Sequence, residues 1–176
     1  MNSKPLRGIN HVGVTVPDIE AATAFLIGGL GAQVIYESHS PAQPPAGSPE
    51  LDQALNLAPG TRLIAARMIQ IGTGPEIELF ELKADAQREA SRPSDFGLQH
   101  LAFYVDDIEA AIERFEAAGG KMFSRPNEIL FPEEQGEGNL YCYGQTPWGM
   151  MIEFITFPSA MPYERGTPLR RWHANS

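Results

Sequence analysis

Cysteine is almost missing from this chain: Cys142 is the only one among 176 residues. No disulfide can form within it, which fits a reducing compartment. Long apolar runs are missing too. No stretch of eighteen apolar residues exists, so no membrane span is expected. The start, Met1 to Leu6, is polar, includes Pro5 and has no apolar signal region. A cytoplasmic protein is therefore expected. Basic residues are scarce, 13 Lys and Arg against 22 Asp and Glu, for a net charge of −9. Nucleic acid and anionic membranes need clustered cations and are excluded as expected partners, which leaves a small-molecule substrate. Hydrophobic residues at 43% and charged residues at 20% give an ordinary globular balance. A chain of this length can bury a core without cross-links.

What the chain does contain is a repeat. Gly8 to Ala22 reads GINHVGVTVPDIEAA, and Gly97 to Ala111 reads GLQHLAFYVDDIEAA, at a constant offset of 89. His11 falls on His100, Val16 on Val105 and Gly31 on Gly120. A second echo sets Ile77-Glu78-Leu79-Phe80 on Ile152-Glu153-Phe154-Ile155 at an offset of 75. The offset shrinks because the first half carries the longer middle loop.

Each half reads as a strand, a helix and three further strands. In the first, Ile9 to Val16 is β-rich and Pro17 ends it. Asp18 is an N-cap candidate, and Ala21, Ala22, Phe25 and Leu26 follow at helical spacing. Gly28, Gly29 and Gly31 stop that helix. Strands are expected at Gln33 to Ser38, Arg62 to Ile71 and Glu76 to Leu82, the last two joined by Gly72-Thr73-Gly74-Pro75. In the second half they are expected at Leu98 to Val105, Lys121 to Ser124, Asn139 to Gln145 and Met150 to Phe157, with a helix over Ile108 to Ala118. The fold class is therefore α+β, with tandem βαβββ modules at 8–83 and 97–157. Three segments fall outside the repeat. Residues 40–60, rich in Pro, Ala and Gly, read as a flexible loop or lid with one helical turn around Leu51 to Leu57. Lys83 to Phe96 reads as a charged, partly helical connection, and 158–176 as a surface tail.

His11 and His100 occupy equivalent places on the first strand of each module, and Glu78 and Glu153 on the last. Side chains alternate across a strand. Ile77, Leu79, Ile152 and Phe154 then pack toward the helices, while both acids point to the other, concave face. A buried carboxylate is costly unless it is paired or holds a metal. Two acids, each matched by a histidine, balance one divalent cation. Zinc, nickel, cobalt and manganese all accept such mixed nitrogen and oxygen donors. Singly, each residue has a plainer reading, as a structural histidine or an edge-strand glutamate; the repeat couples all four into one candidate metal set.

The strings Ile9-Asn10-His11-Val12-Gly13-Val14, Ile77-Glu78-Leu79-Phe80, Leu98-Gln99-His100-Leu101-Ala102-Phe103-Tyr104-Val105-Asp106-Asp107-Ile108-Glu109 and Thr146-Pro147-Trp148-Gly149-Met150-Met151-Ile152-Glu153 resemble the vicinal oxygen chelate superfamily. That superfamily includes glyoxalase I, methylmalonyl-CoA epimerase, extradiol dioxygenases and the fosfomycin- and bleomycin-resistance proteins. The likeness covers roughly residues 8 to 157. It implies paired βαβββ modules whose curved mixed sheet encloses one divalent metal, with ligands at His11, Glu78, His100 and Glu153. Members pair their modules within one chain or across a dimer, and a homodimer is the preferred expectation.

In the isomerases of the superfamily the metal grips two neighbouring oxygens and stabilises an enolate while a carboxylate moves a proton. The resemblance therefore implies a metal-dependent lyase or isomerase of the glyoxalase or epimerase type. Glu153 is its principal acid–base residue and Glu78 its catalytic partner. Methylmalonyl-CoA epimerase is similar around Gly97 to Ala118, but the strand over Leu63 to Ile69 carries Arg67 rather than an extra acid. No glutathione-binding arginine pattern is present. The alternative enzyme is an extradiol dioxygenase, with ferrous iron on His11, His100 and Glu153; Glu78 would then fill a position that oxygen chemistry needs. The non-enzymatic alternative is an antibiotic-binding resistance protein. Tyr104, Tyr141 and Tyr143 are pocket candidates with a plainer reading as core. His39 is expected to be exposed, Glu133-Glu134 to be a solvated loop, and Trp148 a packing anchor.

Overall fold

The computed structural model describes residues 8–172. Residues 1–7 and 173–176, and with them the polar start and the end of the tail, lie outside the described residues. Two compact units divide the chain. The first runs through Ile27 and from Gly31 to Arg88; the second takes Gly28–Leu30 and everything from Glu89 onward. Among the described residues no helix is long and apolar enough to cross a membrane.

The first unit is β1 (His11–Val16), α1 (Ile19–Leu30), β2 (Gln33–His39), α2 (Pro49–Leu55), β3 (Arg62–Gln70) and β4 (Glu76–Lys83). Asp18 starts α1 as expected: its backbone is extended and its carboxylate accepts the Ala21 N–H at 2.9 Å. Gly31 ends the helix at φ 67°, a left-handed value that favours glycine, and its N–H reaches the Ile27 carbonyl at 3.1 Å. The sheet order is β1-β4-β3-β2, with β1 parallel to β4 and the other pairs antiparallel. Val14, Val16, Ile77 and Leu79 are buried, as are Ile19, Ala22 and Leu26 of α1. Alternation along β1 and β4 therefore sends His11 and Glu78 to the face away from that core.

The second unit runs β5 (Leu101–Tyr104), α3 (Ile108–Ala117), β6 (Lys121–Met122), β7 (Asn127–Glu128), β8 (Leu140–Gln145) and β9 (Met151–Thr156), the same order except that the short strand β7 stands where the first unit has α2. Asp107 caps α3 through Ala110 N–H at 3.0 Å, as Asp18 caps α1. The strands order as β5-β9-β8-β6, with β7 beside β8 and β5 parallel to β9. Ile108, Ile112 and Phe115 of α3 are buried, and the Phe115 ring meets Phe154 edge-on at 5.4 Å. The α+β pattern of twin βαβββ repeats is thus present, as two mixed sheets.

Several segments differ from the sequence reading. The connection after β4 contains no helix; it turns on local bonds such as Asp95 N–H to Arg92 carbonyl at 2.9 Å, and Pro93 denies helix propagation. The 40–60 insertion is tied down rather than loose. Ala46 bridges Leu63, α2 is capped by Ser48, and the buried Asp52 accepts the Gly60 N–H at 2.7 Å. The tail is more than a surface segment. Met161 is 3% exposed and packs with Ile129, Ile155 and Phe157, with Tyr104, Tyr141 and Tyr163 around them. Asn139, almost fully buried, ties the preceding loop to the tail by accepting the Ser159 N–H at 3.1 Å. His39 is half-buried rather than exposed.

Candidate metal and proton-transfer site

Both modules build the same couple by the same means. In the first, Gly13 lies opposite Glu78 across the parallel β1–β4 ladder, and His11 precedes it by two residues on the same face. His11 Nε2 lies 3.3 Å from Glu78 Oε2. In the second, Ala102 lies opposite Glu153, His100 precedes it by two, and His100 Nε2 lies 3.1 Å from Glu153 Oε2.

A feature missed in the sequence fixes the ring in each couple. The Asn10 amide oxygen is 2.9 Å from His11 Nδ1, and the Gln99 amide oxygen is 2.8 Å from His100 Nδ1. An amide oxygen only accepts, so each contact calls for a hydrogen on Nδ1, and the ring is held with Nε2 toward the carboxylate. A proton or a metal cation between Nε2 and the carboxylate oxygen accounts for so close an approach. Donors each about 2.1 Å from one ion at a right angle are about 3.0 Å apart, so both couples match adjacent ligands of a divalent metal. The donor set fits the metal that the fold implies. Among the described residues, however, no group of three or more His, Cys, Asp or Glu gathers where it could hold an ion, so the structure brings the four residues together only as two couples.

The two couples are unequal. The Glu78 side chain is 23% exposed and that of Glu153 only 12%. Across the antiparallel ladders Glu78 faces Met68, whereas Glu153 faces Tyr143. The Tyr143 ring meets the His100 ring edge-on at 5.2 Å. Burial raises the Glu153 carboxyl above the ordinary glutamate range, against the pull of His100 and the Arg171 charge. Burial and the Glu153 charge push the Tyr143 phenol up to about 12, so it stays protonated at neutral pH. A pocket of about 250 Å³ opens beside His100 and Tyr143, its other walls being Pro93, Gln99 and Met151.

Other candidates fall elsewhere. Arg67 lies opposite Leu79 on the helix-facing side of β3, where its guanidinium binds Glu20 at 2.6 Å, Thr23 at 2.8 Å and Glu37. It is a buried structural cation, and the β3 residue opposite Glu78 is the apolar Met68. Tyr104 and Tyr141 join the apolar cluster under the tail. Glu134 pairs with Arg171 at 3.1 Å, and the Arg171 guanidinium lies over the Phe157 ring at 5.3 Å, so this loop acid anchors the tail.

The α+β fold of twin βαβββ sheets agrees with what comparison with known proteins finds. Residues 10–143 match the sequence profile of the Glyoxalase/Bleomycin resistance protein/Dioxygenase superfamily. The chain belongs to that superfamily. A 2-epi-5-epi-valiolone epimerase from an Actinomyces species is 35% identical over 92% of this chain and 86% of its own length. The ethylmalonyl-CoA/methylmalonyl-CoA epimerase of Cereibacter sphaeroides is 30% identical over 65% of this chain and 72% of its own. Among solved structures, a mutant of the fosfomycin resistance protein FosX from Listeria monocytogenes, complexed with manganese(II) and 1S,2S-dihydroxypropylphosphonic acid, shares the fold. It aligns with a TM-score of 0.57 at 18% identity, over 92% of this chain and 99% of that one.

Proposed function

We propose that the chain is a divalent-metal-dependent epimerase acting beside a ketone carbonyl. His11, Glu78, His100 and Glu153 serve as one ligand set, and Glu153 is the principal acid–base residue. The carrying observation is the pair of imidazole Nε2 atoms, 3.3 and 3.1 Å from a carboxylate oxygen, each with its other ring nitrogen against an amide oxygen. A dication bound there supplies Lewis-acid stabilisation of the charge developing on the carbonyl oxygen. Glu153 accepts the proton from the carbon beside the carbonyl, and the electron pair passes to that oxygen. Inversion needs a proton returned to the opposite face of the planar carbon, a role assigned to Glu78 as the second carboxylate. Burial raises the Glu153 carboxyl above the ordinary glutamate range, the direction that makes a carboxylate a better proton acceptor.

The substrate proposed is a small ketone with a stereocentre next to the carbonyl. The similarity to the valiolone epimerase across 92% of this chain makes 2-epi-5-epi-valiolone the first compound to test. Manganese(II) in the FosX complex supports the metal half of the reading. Incubated with this ketone in deuterated water, metal-loaded protein is expected to incorporate one deuterium and yield the epimer by nuclear magnetic resonance. Chelator-treated protein should do neither, and no oxygen should be consumed. Absence of exchange with both this ketone and a methylmalonyl-type thioester would overturn the epimerase reading.

A further inference from the structure

Residues two apart on a strand share a face, so three rows of side chains cross the face of the second sheet that carries Glu153. Glu153 opposite Tyr143 is the middle row. Met151, two residues before Glu153, lies opposite Gln145, and Ile155, two residues after it, lies opposite Tyr141. The outer rows have contrasting surroundings. At Met151 the face is open: the pocket of about 250 Å³ lies there, between Met151, Pro93 and the His100 and Tyr143 side chains. At Ile155 the face is closed. Ile155 is 5% exposed, in one cluster with Met161 of the tail, Ile129 and Phe157, and Tyr104 and Tyr141 pack against it.

This cover is fixed along its length. The Ser159 N–H donates to the Asn139 amide oxygen at 3.1 Å, the Tyr163 N–H to the Glu133 carbonyl at 3.1 Å, and the Arg171 guanidinium pairs with Glu134 at 3.1 Å. All three join the tail to the loop between β7 and β8, so tail and loop form one wall. A close-packed apolar cluster leaves no space for a ligand at that end. A small molecule that reaches His100 and Glu153 across this sheet has room only toward Met151.

We propose that the substrate site on this sheet is one-ended: the tail closes the Ile155 row, the body of the substrate lies in the pocket at Met151, and Met151 is a specificity-determining contact that sets its size. The inference rests on the reading of His100 and Glu153 as the reacting end. Met151 offers an adaptable thioether and Pro93 a rigid ring, apolar walls suited to the carbon skeleton of a compact ring ketone.

The probe is 2-epi-5-epi-valiolone, added to the full chain with isotope-labelled methionine methyls, with and without diamagnetic zinc. The six methionines are assigned by single Met→Leu substitutions. The Met151 methyl is expected to shift saturably and to show nuclear Overhauser contacts with the ketone's ring protons, while the Met161 methyl stays in place. Met151→Trp, which fills the pocket, should weaken binding by about tenfold or more. Met151→Ala, a milder change to β9, should weaken it by roughly fivefold. Met161→Leu conserves volume inside the wall and should leave the Kd within about twofold. Contacts from the ketone to the Met161 methyl, or unchanged affinity in both Met151 variants, would overturn the one-ended site. If the ketone exchanges with solvent deuterium while the Met151 methyl stays silent, the placement is wrong and the epimerase reading stands. If the ketone neither binds nor exchanges, the substrate reading falls and the role of Met151 falls with it.

Discussion

Glu153→Gln is expected to keep its metal and lose solvent exchange of the substrate's acidic proton by roughly a hundredfold or more, the contribution of a general base. Gln retains an amide oxygen that can serve as a ligand but accepts no proton at neutral pH. Glu153 is the acid that burial raises and that Tyr143 and His100 surround, so the loss should concentrate there. Glu78→Gln is expected to differ in kind. That carboxylate is more exposed, faces Met68 and sits between Ile77 and Leu79 in a strand bonded on both sides. Its variant should keep metal and exchange and lose chiefly inversion, so deuterium enters the substrate without the epimer accumulating. The two variants are separated by following deuterium and stereochemistry in the same spectra. Normal exchange in Glu153→Gln beside a dead Glu78→Gln would reverse the roles.

His11→Ala and His100→Ala are each expected to strip most of the metal from the purified protein. Outer partners that merely orient a ligand change metal affinity by about 10- to 100-fold, and removal of the donor itself should exceed that. The structure extends the expectation to the amides. Asn10→Leu and Gln99→Leu leave Nε2 in place but release the ring and its tautomer, so each should weaken metal by about tenfold and no more. Metal content by elemental analysis after dialysis against a weak chelator reads all four variants. Since ligand binding to the folded state stabilises it by mass action, the same ranking should appear in the melting-temperature rise on adding metal. Full occupancy in both histidine variants would remove these residues from the ligand set.

The parts legible in the sequence are those that repeat or follow a local rule. The echo around His11 and His100 and the alternation around Glu78 and Glu153 identified both couples and the βαβββ order, because register in a half-buried strand follows its apolar face. Asp18 and Gly31 marked the ends of α1 through capping chemistry. What stayed hidden depends on partners distant in the chain. Asn10 and Gln99 precede the histidines in both copies, so their shared amide was a readable signal, but its meaning needed the ring orientation. Tyr143 looked like any aromatic on a strand until the β8–β9 register set it against Glu153. Arg67 was visible as a cation in an apolar strand, but only the pairing with Leu79 shows that it faces α1 and the acids Glu20 and Glu37. The tail carried too few apolar residues to show periodicity, and Met161 found its place through tertiary packing.

That both couples hold a single ion is tested most directly by anomalous diffraction at the metal's absorption edge, on crystals of the full chain grown with manganese or zinc. One peak per chain is expected, within about 2.0–2.3 Å of Nε2 of His11 and His100 and of a carboxylate oxygen of Glu78 and Glu153. Two peaks, one at each couple, or a single ion on one couple with the other couple metal-free, would contradict the four-ligand site.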